Sequence, residues 1–353
     1  MTNTPASLGY RMPAEWEAHE ATWLGWPHNK SDWPGKFQII PWVYGEIARG
    51  IAPGELVRII VNSAPHEALA RRVLRKVGID LQRVQFFRFP TDRGWTRDFG
   101  PMFVKSDQGT AINEFGFTGW AKYPNYRKDA QIASKAARKL GLRVFKHLRE
   151  NKPFVLEGGA IDVNGRGSLL TTEECLLDQE RQIRNPGMSK PEVEQALKGA
   201  LGVTNILWLG KGIAGDDTHG HVDDLARFVD PSTVVLCEEK NSGDVNYRPL
   251  QENRERVKSM RLENGAIPEI VSLPMPAPLF FDGVRLPASY ANFYVCNSAV
   301  LVPTFNDPND RLALGILAEL ITDRPVVGIH AVDLVWGFGT IHCLTQQQPA
   351  TAP

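Results

Sequence analysis

What this sequence has little of narrows it quickly. It carries four cysteines in 353 residues, Cys175, Cys237, Cys296 and Cys343, far apart and without a CxxC pair. That spacing fits neither a zinc ribbon nor a disulfide framework. It has no excess of either charge, since Lys plus Arg and Asp plus Glu both number 40. A basic footprint for nucleic acid and an acidic tail are thereby excluded, and the expected partner is a small molecule. The opening residues, MTNTPASLGYRMPAEWEAHE, show neither the basic start nor the apolar run of a secretory signal. No apolar stretch approaches the roughly 18 residues that span a bilayer. A soluble cytoplasmic protein without a membrane partner is expected. No linker rich in Pro, Gly or Ser divides the chain, so residues 1–353 are read as one domain.

What is present is a recurring pattern. Helical periodicity runs through HEALARRVLRKVG, RKDAQIASKAARKLG, KPEVEQALKGALG, LQENRERVKSMRLENG and DRLALGILAELI. Four of these close on glycine, a common helix stop. A short apolar strand follows each: RVQFFRF, LRVFKH, TNILWLG, PEIVSLP and RPVVGIH. A segment reading as an inward strand with a hairpin comes next. The order helix, strand, hairpin thus recurs five times, which predicts an α/β domain of stacked or radial modules. The last hairpin lacks a second strand, because QQQPATAP is a poor strand by composition. The N-terminal EATWLGWP is expected to fill that gap and close a ring, leaving few free sheet edges.

If the hairpins converge on an axis, the residues at their entrances meet: Asp98, Glu157, the pair His221 and Asp223, Asn292, and Cys343. In GDDTHGHVDDLARF, His221 and Asp223 are two apart and would share a face of a strand. His219, His221 and Asp223 also spell the HxHxD pattern of some hydrolytic zinc sites, although no further histidine follows closely. GWTRDFGP reads either as an exposed Arg97–Asp98 pair of little energetic weight or as a carboxylate floor beside a Trp95 wall. The second arrangement suits a planar cation. Cys175, Cys237 and Cys296 sit in apolar strand-like patterns that suit small buried hydrophobes. Cys343 lies in polar WGFGTIHCLTQQQPA, where a thiol has no packing reason to be. His342 would point away from it in an extended segment, which leaves His221 as its acid-base partner.

MPAEWEAHEATWLGWPHN, WTRDFGP, EGGAIDVNG, TEECLL, GHVDDLARF and IHCLTQQQP, in this order, resemble the agmatine deiminases, the peptidylarginine deiminase-like family of guanidine-modifying enzymes. The resemblance spans about Met12 to Pro349. It implies a five-bladed α/β propeller with pseudo-fivefold symmetry and a role for each candidate. Cys343 is expected to be the nucleophile, His221 the general acid and base, and Glu157 its orienting partner. Asp98 and Asp223 are expected to hold the guanidinium, with Trp95 lining the pocket. The implied reaction converts agmatine to N-carbamoylputrescine and ammonia through a covalent thiouronium on Cys343, a step of polyamine metabolism. It needs no cofactor and no metal. The chain departs from the family pattern at Phe338 and Thr340, where members usually carry glycine and asparagine, at His219 and Asp224, and in GFTGWAKY. Those differences bear on which guanidine compound is taken. Free, acylated or peptidyl arginine is the alternative substrate, and a zinc-dependent hydrolase using His219, His221 and Asp223 is the alternative chemistry. Association into a homo-oligomer stays open.

Overall fold

The computed structural model describes residues 4–351 as a mixed α/β fold. Five sheets of three or four strands carry it. Each is built the same way: two antiparallel strands, a helix, and a third strand parallel to the second. Residues 102–106 pair with 109–114, which run parallel to 143–146 across the helix Ile132–Leu140. Three further units repeat this with strands 162–163, 168–172 and 205–209, with 226–228, 233–238 and 269–274, and with 294–296, 299–304 and 326–330. The parallel pairs need a crossover, and the helix in each unit supplies it.

The fifth sheet joins the two ends of the described chain. Strand β1 (His19–Gly25) pairs antiparallel with Thr345–Pro349, matching Ala21 to Gln348 and Leu24 to Thr345. Closure by EATWLGWP is therefore as expected, but the expectation that QQQP is a poor strand was wrong. Gln346, Gln347 and Gln348 are all buried. Gln347 accepts from Arg97 at 2.7 Å and Gln348 from Trp23 at 3.0 Å. Fixed donors thus compensate for a composition that propensity alone disfavours.

The helical periodicities and the short apolar strands all correspond to elements, with the fourth helix shifted to Tyr247–Ser259. The signals behind them are local. Ser189 and Glu192 form a reciprocal capping box, Pro191 stands in the first turn, and Gly202 closes the same helix in the left-handed region. One helix escaped the sequence reading, α1 (Ile40–Ile51), which links β1 to the parallel strand β2 (Leu56–Val61). The helix α2 (Ala64–Lys76) then adds β3 (Val84–Arg88) as a fourth strand. The first helix and strand read from the sequence are therefore an extension of the sheet that joins β1 to Thr345–Pro349.

Another difference recurs. Where hairpin strands were expected to begin, the chain first makes a short helical turn: Thr96–Phe99, Gly158–Ala160, Val222–Asp224 and Ile341–Leu344. Each turn holds or adjoins one of the candidate residues. Among the described residues no helix is long and apolar enough to cross a membrane.

Candidate active site

These turns bring Asp98, Glu157, His221, Asp223 and Cys343 together, all of them buried. The expectation that His221 and Asp223 share a strand face fails, because residues 222–224 form a 3-10 turn with His221 at its cap. They converge nonetheless, and glycine explains how. A Cβ on Gly159 would lie 2.5 Å from His221 Nδ1, 3.0 Å from Asp98 Oδ1 and 3.1 Å from Asp223 Oδ2. Three functional side chains close over a backbone that tolerates no side chain of its own.

His221 Nδ1 lies 3.8 Å from Asp98 and Nε2 lies 3.6 Å from Glu157, and neither nitrogen has a hydrogen-bond partner. Burial alone would discharge the ring, but Asp98, Cys175 and Glu157 hold its pKa well above the usual histidine value. Burial likewise opposes ionisation of Glu157, yet Arg184, 3.2 Å from both carboxylate oxygens, holds it below the ordinary range. Asp98 accepts from Trp120 Nε1 at 2.8 Å and from Gly159 N at 3.1 Å. Its burial, opposed by His221 and reinforced by Asp223 and Glu157, pushes it up to about 6. Asp223 is also raised by burial, but His342 Nδ1 at 2.6 Å brings it below the ordinary value and leaves Oδ1 unpartnered.

Cys343 does not lie on an inner strand. It sits in the turn Ile341–Leu344, just before the closing strand. Gly339 is forced there, since a Cβ would come within 2.7 Å of the Trp95 ring and 3.2 Å of Sγ. The thiol faces Asn292 Nδ2 at 3.2 Å and Asp223 Oδ2 at 3.9 Å. Burial and the carboxylates of Asp223, Asp224 and Asp98 push it well above the usual thiol range. Cys343, Asp98 and Trp95 line a cavity of about 350 Å³ whose wall includes Trp120, Tyr123 and Phe338.

The HxHxD reading does not survive. His219 takes a left-handed φ of 66° and turns to Asp178 at 2.6 Å. Among the described residues, the groups with metal-ligand spacing are Glu157, Cys175 and His221, and Asp223, Asp224 and Cys343. The first already has its carboxylate matched by Arg184. Cys175 belongs to a helical turn, Glu173–Leu176, and not to the strand inferred for it, whereas Cys237 and Cys296 are strand residues.

The sequence model of the Porphyromonas-type peptidyl-arginine deiminases matches residues 11–349. The chain belongs to that family. The deiminase-family chain is 34% identical to the agmatine deiminase of Pseudomonas aeruginosa (strain LESB58) over 99% of its own length and 98% of the relative's. It is 33% identical to that of Ectopseudomonas mendocina (strain ymp), again over 99% and 98%. Among solved structures it resembles the Enterococcus faecalis agmatine deiminase, with TM-score 0.89 and 31% identity over 98% and 97% of the two chains. A substrate-bound C. jejuni agmatine deiminase gives TM-score 0.85 and 29% identity over 98% and 97%.

Several residues of this deiminase-family site were not singled out from the sequence. Trp120, in the variant GFTGWAKY stretch, supplies the donor to Asp98. Arg184 has no motif signal at all. Glu15 is buried beneath the site and meets Arg227 at 2.9 Å, Arg97 at 3.3 Å, His342 at 2.8 Å and the Val295 N–H at 2.8 Å. The bland reading of Arg97 as an exposed partner of Asp98 is therefore wrong. An acid and an arginine from distant segments leave no periodic trace, and only their burial gives them away.

Proposed function

We propose that this chain is an agmatine deiminase, a cysteine-dependent hydrolase of a linear guanidine. The observation that carries the reading is the convergence of an imidazole with both nitrogens unpartnered and a carboxylate oxygen without a donor beside Asp98 and the Cys343 thiol, which line one cavity. Buried polar atoms are normally satisfied, so this set is prepared for a polar ligand. A guanidinium held by Asp98 and Asp223 would present its carbon to Sγ of Cys343.

In the free enzyme the thiol is protonated, and the cation reverses the field that keeps it so. The thiol gives its proton to solvent water, and the thiolate adds to the guanidinium carbon. The tetrahedral adduct expels ammonia with a proton from His221, giving the thiouronium. His221, now neutral, takes a proton from water as the oxygen attacks; the C–S bond then breaks and the remaining hydroxyl proton returns to sulfur, which releases the urea product and restores the thiol. Glu157, anchored by Arg184, keeps the imidazole in place. No metal or organic cofactor takes part in these steps.

The cavity mouth favours a substrate ending in an amine. Apart from Asp98, which is engaged with the guanidinium, Asp32, Asp217 and Asp282 line the cavity against one cation, Arg93, which is already paired with Asp32 and packed on Tyr123 at 4.2 Å. Lys122 is paired with Asp217. A carboxylate on the substrate, as in free arginine, would find no unpaired cation there, and an ammonium would find an excess of acids. We read the five sheets as propeller blades about a pseudo-fivefold axis. In this reading the chain is a single cytoplasmic catalytic domain with a small guanidinium partner.

The test is an assay for ureido product with agmatine, arginine and blocked arginines, using wild type and Cys343→Ala. Turnover of agmatine well above the others, abolished in the variant with its circular dichroism unchanged, is expected. An active Cys343→Ala enzyme would overturn the covalent scheme, and equal rates on all substrates would overturn the specificity.

A further inference from the structure

Asn292 enters the site from the fourth unit and is completely buried. Its carboxamide meets four groups around the thiol. Oδ1 accepts from Thr340 Oγ1 at 2.7 Å and from the His342 N–H at 3.0 Å, with the Cys343 N–H at 3.4 Å. Nδ2 faces Cys343 Sγ at 3.2 Å and Asp224 Oδ1 at 2.9 Å.

The orientation of an amide is settled by its partners. The backbone N–H groups of His342 and Cys343 can only donate, so the atom facing them must be the oxygen. The Thr340 hydroxyl, turned the same way, adds a third donor. The nitrogen is therefore fixed on the other side, with one hydrogen toward Asp224 and one toward sulfur. The nearby carboxylates that act on the thiol include Asp98 and Asp223. Each of these disfavours the thiolate.

We propose that Asn292 is a catalytic residue that donates a hydrogen bond to the Cys343 thiolate, and that Thr340 is a positioning residue that locks its amide in the donating orientation. The bond is weak to a neutral thiol and strengthens as sulfur acquires charge, so it acts where the nucleophile forms. The position where this chain has threonine thus keeps a hydrogen-bond donor to the amide oxygen. The inference rests on Cys343 being the nucleophile.

The experiment compares Asn292→Asp, Thr340→Val and Thr340→Ser with wild type and Cys343→Ala. It measures kcat and KM for agmatine, and the iodoacetamide alkylation rate of Cys343 at fixed pH. Asn292→Asp keeps the shape and replaces the donor with an acceptor, so kcat should fall at least about 100-fold. Thr340→Val should lower kcat and the alkylation rate about tenfold, the effect of one unit in thiol pKa, while KM stays within about twofold. Thr340→Ser restores the hydroxyl and should recover both rates. Should Asn292→Asp fail to fold, the threonine pair still decides. Thr340→Val matching wild type in both rates, or Thr340→Ser failing as Thr340→Val does, overturns the inference. If Cys343→Ala is inactive while the Asn292 and Thr340 variants keep full rates, only the role of Asn292 falls. If Cys343→Ala is active, the nucleophile assignment falls with it.

Discussion

Two buried clusters of charge lie one beneath the other, and they are finished differently. Around Glu15 both carboxylate oxygens are met: Arg97 and Arg227 bring two guanidiniums, His342 and the Val295 N–H add to them, and only Arg227 Nε, 3.3 Å from Asp162, lacks a hydrogen bond. Around Asp98 and Asp223 the same kinds of groups are left incomplete, with both nitrogens of His221 and Oδ1 of Asp223 lacking partners. Burial is equal in the two places, so burial does not distinguish them. Satisfaction does. A completed network holds segments from across the chain in register, and an incomplete one is kept for a ligand that brings the missing donors and charge.

The contrast predicts opposite consequences for similar substitutions. Asp223→Asn should lower kcat/KM by about 100-fold or more while leaving the melting temperature near that of wild type. Glu15→Gln leaves Arg97 without a carboxylate and Arg227 with Asp162 alone, and should cost about 3–5 kcal/mol of stability in denaturant unfolding. A stable Glu15→Gln protein, or an Asp223→Asn protein that melts early, would erase the distinction. Next in size, Gly159→Ala forces a methyl against His221, Asp98 and Asp223. A displacement of this order should reduce kcat about 100-fold with little change in folding.

A subtler test uses pH. Asp98 is raised from its ordinary 3.8 to about 6, so the folded state binds this proton more tightly than the unfolded chain does. Its contribution to stability is therefore fully present below pH 3.8 and is lost as pH rises through about 6. Asp98→Asn should accordingly gain stability relative to wild type at pH 8 but not at pH 3.5. The kcat/KM of wild type on agmatine should rise with pH through the same region as Asp98 ionises. The smallest effect is expected at Asp224, which burial and Asp223 hold protonated well above the ordinary carboxyl range. Asp224→Asn replaces a neutral acid by a neutral amide, and activity within about threefold of wild type at pH 7.5 is expected. A loss of 100-fold would mean that the proton on Asp224 matters chemically.

The sequence made the repeating units readable because amphipathic helices and apolar strands are local signals. It also placed Asp98, Glu157, His221, Asp223 and Cys343 at equivalent positions of successive units. What it could not supply was the turn geometry at those positions. Alternation was taken to put His221 and Asp223 on a strand, and a 3-10 turn does the work instead. The closing strand is illegible by composition because the partners of Gln347 and Gln348, Arg97 and Trp23, lie hundreds of residues away. Asn292 stood among the converging residues, but its contact with sulfur depends on a hydroxyl and two amides of another unit. Arg184 and Glu15 answer to no pattern, since a buried ion pair is defined only by the fold that buries it.

The strand that follows Cys343 pairs with β1, so the thiol is seated only when two segments about 320 residues apart in the chain meet. During translation β1 must wait with an open edge while nearly all of the chain is made, a non-local closure that is slow to form. A chain lacking residues 345–349 therefore carries Asp98, Glu157, His221 and Asp223 with no settled place for the Cys343 thiol.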